Sequence, residues 1–308
     1  MSPAAFSDPH PLTLLTYNVW GLPKWINGAS ADRFGRIADE LERLRPDIVL
    51  LQEVWTSRAR DVLPDGDWWV ASTERRFPFW GRNGLVLLSR FEMLGGEFRP
   101  FEAGLLPDSI MSKGALKTTL QLAGGDRVNV WNVHLQAGAS ATGRAARTRS
   151  RQIRELREWV HEAKDDQVAD IVGGDFNCTP GSANFHELED AFGPALGTAT
   201  GETRRATYGW LDARPGEARA LDHMFVLARP GWRLRGTHTG LAFDSPRLDQ
   251  RLSDHRAVTA AFWLRPSPQL TEATAIGSGT GGSGAVFARI PATDSSIPGD
   301  APPSAAGW

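Results

Sequence analysis

The chain has 308 residues, 41% of them hydrophobic and 23% charged, a globular composition that excludes a wholly disordered protein. Against 36 Asp and Glu stand 34 Lys and Arg, and the net charge of −2 argues against tight, sequence-blind duplex binding, which needs a basic face. A single cysteine, Cys178, excludes an internal disulfide framework and any Cys-rich zinc module. The first residues carry no basic segment ahead of an apolar one, and no run approaches the roughly 18 apolar residues that span a bilayer. A cytoplasmic protein is expected, with peripheral membrane association or non-classical export as alternatives.

In chain order, strands are predicted over 12–18, 48–52, 68–72, 84–89, 116–121, 128–134, 170–174, 222–227 and 257–262. Helices are predicted over 31–44, ending before Pro46, over 141–161, and from just after Pro180 to Leu188. The strands recur in pairs and outnumber the helices, which predicts two packed sheets with helices outside. From Arg265 onward the composition turns to Pro, Gly, Ser, Thr and Ala. Residues 265–308 therefore read as a flexible tail in which 285–290 is the one apolar stretch able to dock. A chain ended near Leu264 is expected to fold.

Polar residues close several of these apolar strands. Asn18 ends the first, Gln52-Glu53 the second, Asn132-Val133-His134 a later one, and Gly174-Asp175-Phe176-Asn177 another. Leu221-Asp222-His223 and Ser253-Asp254-His255 complete the set. Each alone fits a satisfied loop anchor, whereas six such endings point to a common crevice.

In this order and at these separations, the motifs resemble the endonuclease/exonuclease/phosphatase superfamily. The resemblance runs from about residue 12 to 263 and places the catalytic domain in 1–264. It implies a DNase I-like fold, a four-layered α/β sandwich, and hydrolysis of a phosphate ester with Mg²⁺, or Mn²⁺ in its place. Hard oxygen ligands suit such a cation. Glu53 with Asn18, and then Asp222, are the expected metal ligands. His255, partnered by Asp254, is the favoured general base, because an imidazole titrates nearer neutrality; Asp175 is the alternative. Asn177 would donate to a phosphoryl oxygen and His134 to the charge that develops on phosphorus.

Three segments are similar to neutral sphingomyelinases in particular: Asn18-Val19-Trp20-Gly21-Leu22-Pro23, Glu53-Val54-Trp55, and Asp108 to Leu116 with Asp108 and Lys113 five residues apart. The last implies an Asp–Lys pair that switches near substrate; the plain reading is a surface charge pair of little consequence. A phospholipid substrate is therefore expected, met at a membrane surface by a monomer with no obligate nucleic-acid partner. A nuclease or inositol-phosphate phosphatase of the same fold is the alternative, and a non-catalytic binding module is disfavoured by the full motif set.

Other segments carry two readings. Trp68-Trp69 and 77–80 are either core or an apolar lip for lipid. Arg144, Arg147, Arg151 and Arg154 are either a solvated helix face or a phosphate-seeking patch. Asn83 shapes a turn or touches substrate, and Glu202-Thr203-Arg204 line the pocket or form an ordinary turn. Cys178 reads as a small buried residue.

Overall fold

Strand β1, Leu12–Asn18, shows how the interior is divided. Successive strand side chains point to opposite faces. Leu14 accordingly enters one apolar cluster while Leu15 and Tyr17 enter another. The computed structural model describes residues 11–22, 30, 32–73, 83–106, 108, 112–138, 141–165, 168–197, 205–209, 218–245, 250–266 and 285–290.

The remaining strands are β2 Ile48–Gln52, β3 Trp68–Thr73, β4 Val86–Ser89, β5 Glu92–Pro100, β6 Gly114–Gln121 and β7 Arg127–His134. They continue with β8 Ala169–Asp175, β9 Asp222–Leu227, β10 Trp232–Ala242, β11 Ala257–Pro266 and β12 Ala285–Ile290. The helices are α1 Arg33–Leu44, α2 Gly143–Glu162 and α3 Ala183–Phe192. Among the described residues, seven strands form one sheet in the order β10-β11-β1-β2-β4-β3-β12, and five form the other in the order β5-β6-β7-β8-β9.

Leu14, Leu50, Leu87, Leu116, Val130, Ile171 and Phe262 fill the space between the sheets. On the outside, Phe34, Ile37 and Leu41 of α1 cover Leu15, Val49 and Leu51. Ile153 and Leu156 of α2 and Phe185 of α3 cover Trp131, Val172 and Phe225. The result is the expected four-layered, DNase I-like sandwich. Between the layers Gln52 donates to Asn132 Oδ1 (2.8 Å), and Asn132 donates to the Leu51 and Val86 carbonyls. These two amides tie the sheets together directly beneath the strand ends.

Topology brings those ends to one place. β1 and β2 run parallel, with Asn18 opposite Gln52. β7 and β8 also run parallel, with His134 opposite Asp175. The flanking strands are antiparallel, so Asp222 begins β9 opposite Asp175, and His255 lies just before β11 at the Asn18 end of β1. Gly174 permits the close approach of β8 to β7: it sits at φ 147°, and a Cβ there would lie 1.9 Å from the Val133 carbonyl oxygen.

Three strands escape the sequence pattern, and all three are sheet edges. β5 and β10 are half-exposed, with Gly and charged residues among their positions, so they lack the apolar run of a central strand. β12 lies inside the segment read as a flexible tail. The stretch expected to dock does so, since Ala285–Ile290 pairs antiparallel along the whole of β3, and at the other end β11 runs two residues past Leu264 to Pro266. Phe287 packs on the inter-sheet core against Gly96, where a Cβ would sit 2.9 Å from the Phe287 ring. Arg289 forks onto Asp67. A chain ended at Leu264 is therefore expected to melt several degrees lower, through loss of roughly 1–3 kcal/mol of buried aromatic surface. An unchanged melting temperature would show β12 to be dispensable.

The apolar-lip reading is overturned for two of its tryptophans. Trp68 is fully buried, donates to Glu42 (2.9 Å) and lies under the Arg90 guanidinium. Trp69 packs on the core between the sheets. Residues 77–80 and 202–204 lie outside the described residues. Arg144, Arg147, Arg151 and Arg154 are exposed along α2, whereas Arg149 is buried and donates to the Gln136 and Gly138 carbonyls. Cys178 is buried, and burial pushes its thiol up, away from reactivity. Asn83 is buried and accepts from the Leu85 N–H, a turn-shaping bond.

Candidate active site

The strand ends converge on a cluster of carboxylates. Asn18 Nδ2 donates to Glu53 Oε1 (2.9 Å) and to Asp175 Oδ2 (3.1 Å). His134 Nε2 lies 3.4 Å from Asp175 Oδ2 and 3.9 Å from Glu53 Oε1. His255 Nδ1 lies 2.8 Å from Asp222 Oδ2, and its Nε2 is 4.0 Å from Asp175. Asn177 closes the ring: its N–H donates to Asp175 Oδ1 (2.9 Å) and its amide to the Leu135 carbonyl (3.1 Å).

Backbone strain marks the same place. Trp20, Glu53 and Asn177 hold φ values of 52°, 63° and 53°, the left-handed region that non-glycine residues seldom occupy. Each follows a strand end, so the chain turns sharply there and leaves a side chain over the crevice.

The electrostatics follow from packing several carboxylates under cover. Burial, then Asp254, pushes Glu53 up to about 7. Burial, then Asp222, raises Asp175 to about 6. Burial alone would lower His255, but Asp222, and after it Asp175 and Asp254, outweigh it and push the imidazole up to about 10, out of the near-neutral range for which the sequence favoured it as the base. Burial, then Lys113 and His255, holds His134 well below the usual range. The site is thus short of positive charge, and carboxylate oxygens in that state suit a hard divalent cation. The facing atoms of Glu53, His134 and Asp175 all lie within 4.8 Å of one another, as do those of Asp175, Asp222 and His255.

Several residues take places the sequence did not give them. The acidic partner of His255 is Asp222, not Asp254. Asp254 instead accepts from Ser253 (3.2 Å), within electrostatic reach of both Glu53 and His255. Asp222, expected among the metal ligands beside Glu53, binds His255 through Oδ2 and keeps Oδ1 buried without a hydrogen-bond partner, within the cluster of Asp175, Asp222 and His255 able to hold a cation. Asn18, expected to offer oxygen, turns its nitrogen to both carboxylates while its Oδ1 accepts from the Trp20 N–H (2.9 Å). Holding a cation through that oxygen requires rotating the amide.

Asp108 and Lys113 do meet, at 2.9 Å, and Lys113 is buried rather than on a surface loop. Its ammonium also reaches His134 Nε2 and the Leu135 carbonyl, each at 2.9 Å. His134 Nε2 therefore accepts from the Lys113 ammonium, and the hydrogen-bond donors on Asp175 are Asn18 Nδ2 and the Asn177 N–H. Asp108 is held in turn by Gln136 Nε2 (2.8 Å) and the Ala137 N–H. Two aromatic rings join the site: Trp55, from the Glu53-Val54-Trp55 segment, stacks on His134 with ring centroids 6.3 Å apart, and Tyr208, which carried no sequence signal, lies 5.1 Å from His255.

The sequence profile of the Endonuclease/Exonuclease/phosphatase family matches residues 15–255, and the chain belongs to that family. Among curated relatives, it is 26% identical over 289 residues to a Drosophila melanogaster protein named "Putative neutral sphingomyelinase", covering 85% of this chain and 64% of that one. The chain thus spans a little under two thirds of that relative's length. Among solved structures, a Staphylococcus aureus beta toxin variant with bound magnesium ions superimposes with a TM-score of 0.65 at 17% identity, over 82% of this chain and 99% of that one. D. rerio TDP2 in complex with a single-strand DNA product gives 0.63 at 18% identity, over 82% and 98%. These near-equal scores establish the fold and leave the substrate to other observations.

Proposed function

We propose that the protein is a divalent-metal-dependent phosphodiesterase that hydrolyses the headgroup ester of a phospholipid, in the manner of a sphingomyelinase. The observation that carries the reading is the convergence of Asn18, Glu53, His134, Asp175, Asn177 and the Asp222–His255 pair at one end of the sandwich. The sequence similarity to sphingomyelinases and the Asp108–Lys113 pair seated on His134 favour the lipid branch.

Glu53 and Asp175 would hold the cation, joined by Asn18 after rotation of its amide. Mg²⁺ is the expected ion, with Mn²⁺ the alternative, and when bound it supplies charge neutralisation for the phosphate oxygens. The chain's own residues do the rest. Asp222 fixes Nδ1 of His255, leaving Nε2 facing Asp175 as the atom at which a proton is held or moved. Lys113 brings a positive charge to the same wall, and the second amide hydrogen of Asn177 would donate to a phosphoryl oxygen.

The test is hydrolysis of sphingomyelin vesicles, plasmid DNA and inositol phosphates by the full chain, with Mg²⁺ and with EDTA. Release of phosphocholine only with Mg²⁺ is the expected result. Nicked DNA with intact lipid would replace this reading by the nuclease of the same fold, and activity that survives EDTA would remove the metal.

A further inference from the structure

We infer that Arg33 is a positioning residue that locks together the two loops carrying Asn18 and His255, a role that rests on the phosphodiesterase reading of the site they form. Arg33 opens α1 and is 3% exposed. Among the described residues it has no carboxylate within ion-pair distance. Its guanidinium instead donates to three backbone carbonyls: Val19 and Leu252 through one nitrogen, and Trp20 through the other. Burying a cation without a paired anion is costly, and a fold tolerates it where the group organises something else.

What it organises is specific. Val19 and Trp20 directly follow Asn18, and the Trp20 N–H is the group that holds Asn18 Oδ1. Leu252 directly precedes Ser253, whose hydroxyl donates to the Asn18 carbonyl (2.7 Å) and accepts from the His255 N–H (3.1 Å). Arg33 therefore spans two loops more than 200 positions apart in sequence, and Ser253 repeats the link one residue further on. The ring of Phe34, 4.1 Å from the guanidinium carbon, and that of Trp20, at 5.8 Å, fix the plane of the fork. Three carbonyls shared between the two terminal nitrogens suit the rigid fork of a guanidinium, whereas an ammonium offers its donors from a single compact point. No hydrogen bond joins Arg33 to Asn18 or His255, and although its charge is felt by Asp254 and Glu53, a lysine at 33 keeps that charge, so the substitution isolates loop position.

The test is Arg33→Lys in the full chain, read in two ways. Turnover of a soluble phosphocholine ester at saturating Mg²⁺ should fall by about 10–100-fold at nearly unchanged KM, the scale of a misplaced reacting group. Amide hydrogen exchange should rise together in 18–22 and 250–256 and stay at wild-type levels in β7 and β8. A merely structural role would lower the melting temperature while leaving turnover of the folded fraction within threefold, and that result overturns the proposal. So does exchange that rises in one loop only or across the whole chain. If Arg33→Lys does not fold, Ser253→Ala, which cuts the parallel link, must raise exchange in the same two loops; no paired rise there refutes the lock. If the wild type hydrolyses no ester, the phosphodiesterase reading fails separately, and the exchange arm still judges Arg33.

Discussion

Glu53→Gln is expected to lower metal-dependent turnover by about 10²–10³-fold, the scale of losing several kcal/mol of charge stabilisation, while making the metal-free protein more stable. The two effects have one cause. Glu53 is raised from the ordinary carboxylate range to about 7 by burial and by Asp254. A carboxyl whose folded pKa lies above its unfolded value contributes stability that is fully present below about 4.5 and is lost as pH rises through about 7. Above that window the ionised Glu53 is a cost to the fold of roughly 1–3 kcal/mol, and a neutral amide of the same shape removes it. In EDTA the stability gap between variant and wild type should open between pH 4.5 and 7 and stay open above it. In Mg²⁺ the order should reverse, because only the wild type gains binding energy from the ion. Denaturant titrations at pH 4.5 and pH 8, with and without Mg²⁺, read all four corners. Equal stability in EDTA at pH 8 would show that Glu53 is already compensated and does not await a cation.

Asp222→Asn is the second large effect, expected to reduce turnover by about 10²–10⁴-fold, as does His255→Ala. The carboxylate holds Nδ1 of the imidazole and is the foremost cause of its rise to about 10. An amide there loses the charge and permits the wrong tautomer. The sign of the linkage is again definite. A histidine with a raised pKa contributes stability that is present below about 6.5 and lost as pH rises through about 10. The wild type should therefore lose this contribution across the alkaline range, and Asp222→Asn should lose it already near neutrality. An NMR titration of the His255 ring in EDTA measures this without any assay. Should His255 titrate in Asp222→Asn as it does in the wild type, the pair is not functional. Should the acidic limb of the rate profile survive in His255→Gln, Asp175 becomes the base.

How far the chain could be read from its sequence depends on where each residue sits. Central strands are apolar on both faces, so β1, β2, β7 and β8 announce themselves, and a polar residue at the end of such a run stands out. That is why Asn18, Glu53, His134, Asp175, Asn177 and His255 are legible in the sequence alone. Alternation along the strands, with the 3.6-residue spacing of Ile153, Leu156 and Val160, likewise determined the layers. Edge strands carry no such run: β5 and β10 are visible only as partners of strands already placed, and β12 shows in the sequence as an apolar stretch without an assigned partner.

The pairings inside the site were decided by tertiary structure alone. Asp222 meets His255 because β9 lies antiparallel to β8 while the opposite sheet brings in the loop before β11. The sequence instead favoured Asp254, the nearest acid along the chain. Lys113 reaches His134 because β6 starts where β7 ends. Arg33 reads as one more charged residue at the start of an amphipathic helix until its three carbonyl partners are seen. Sequence carries the local information, which residue types can form a strand, turn sharply or hold a proton. Which of them face one another is a property of register between strands far apart in the chain, and that is set by the packing of two sheets on a shared core.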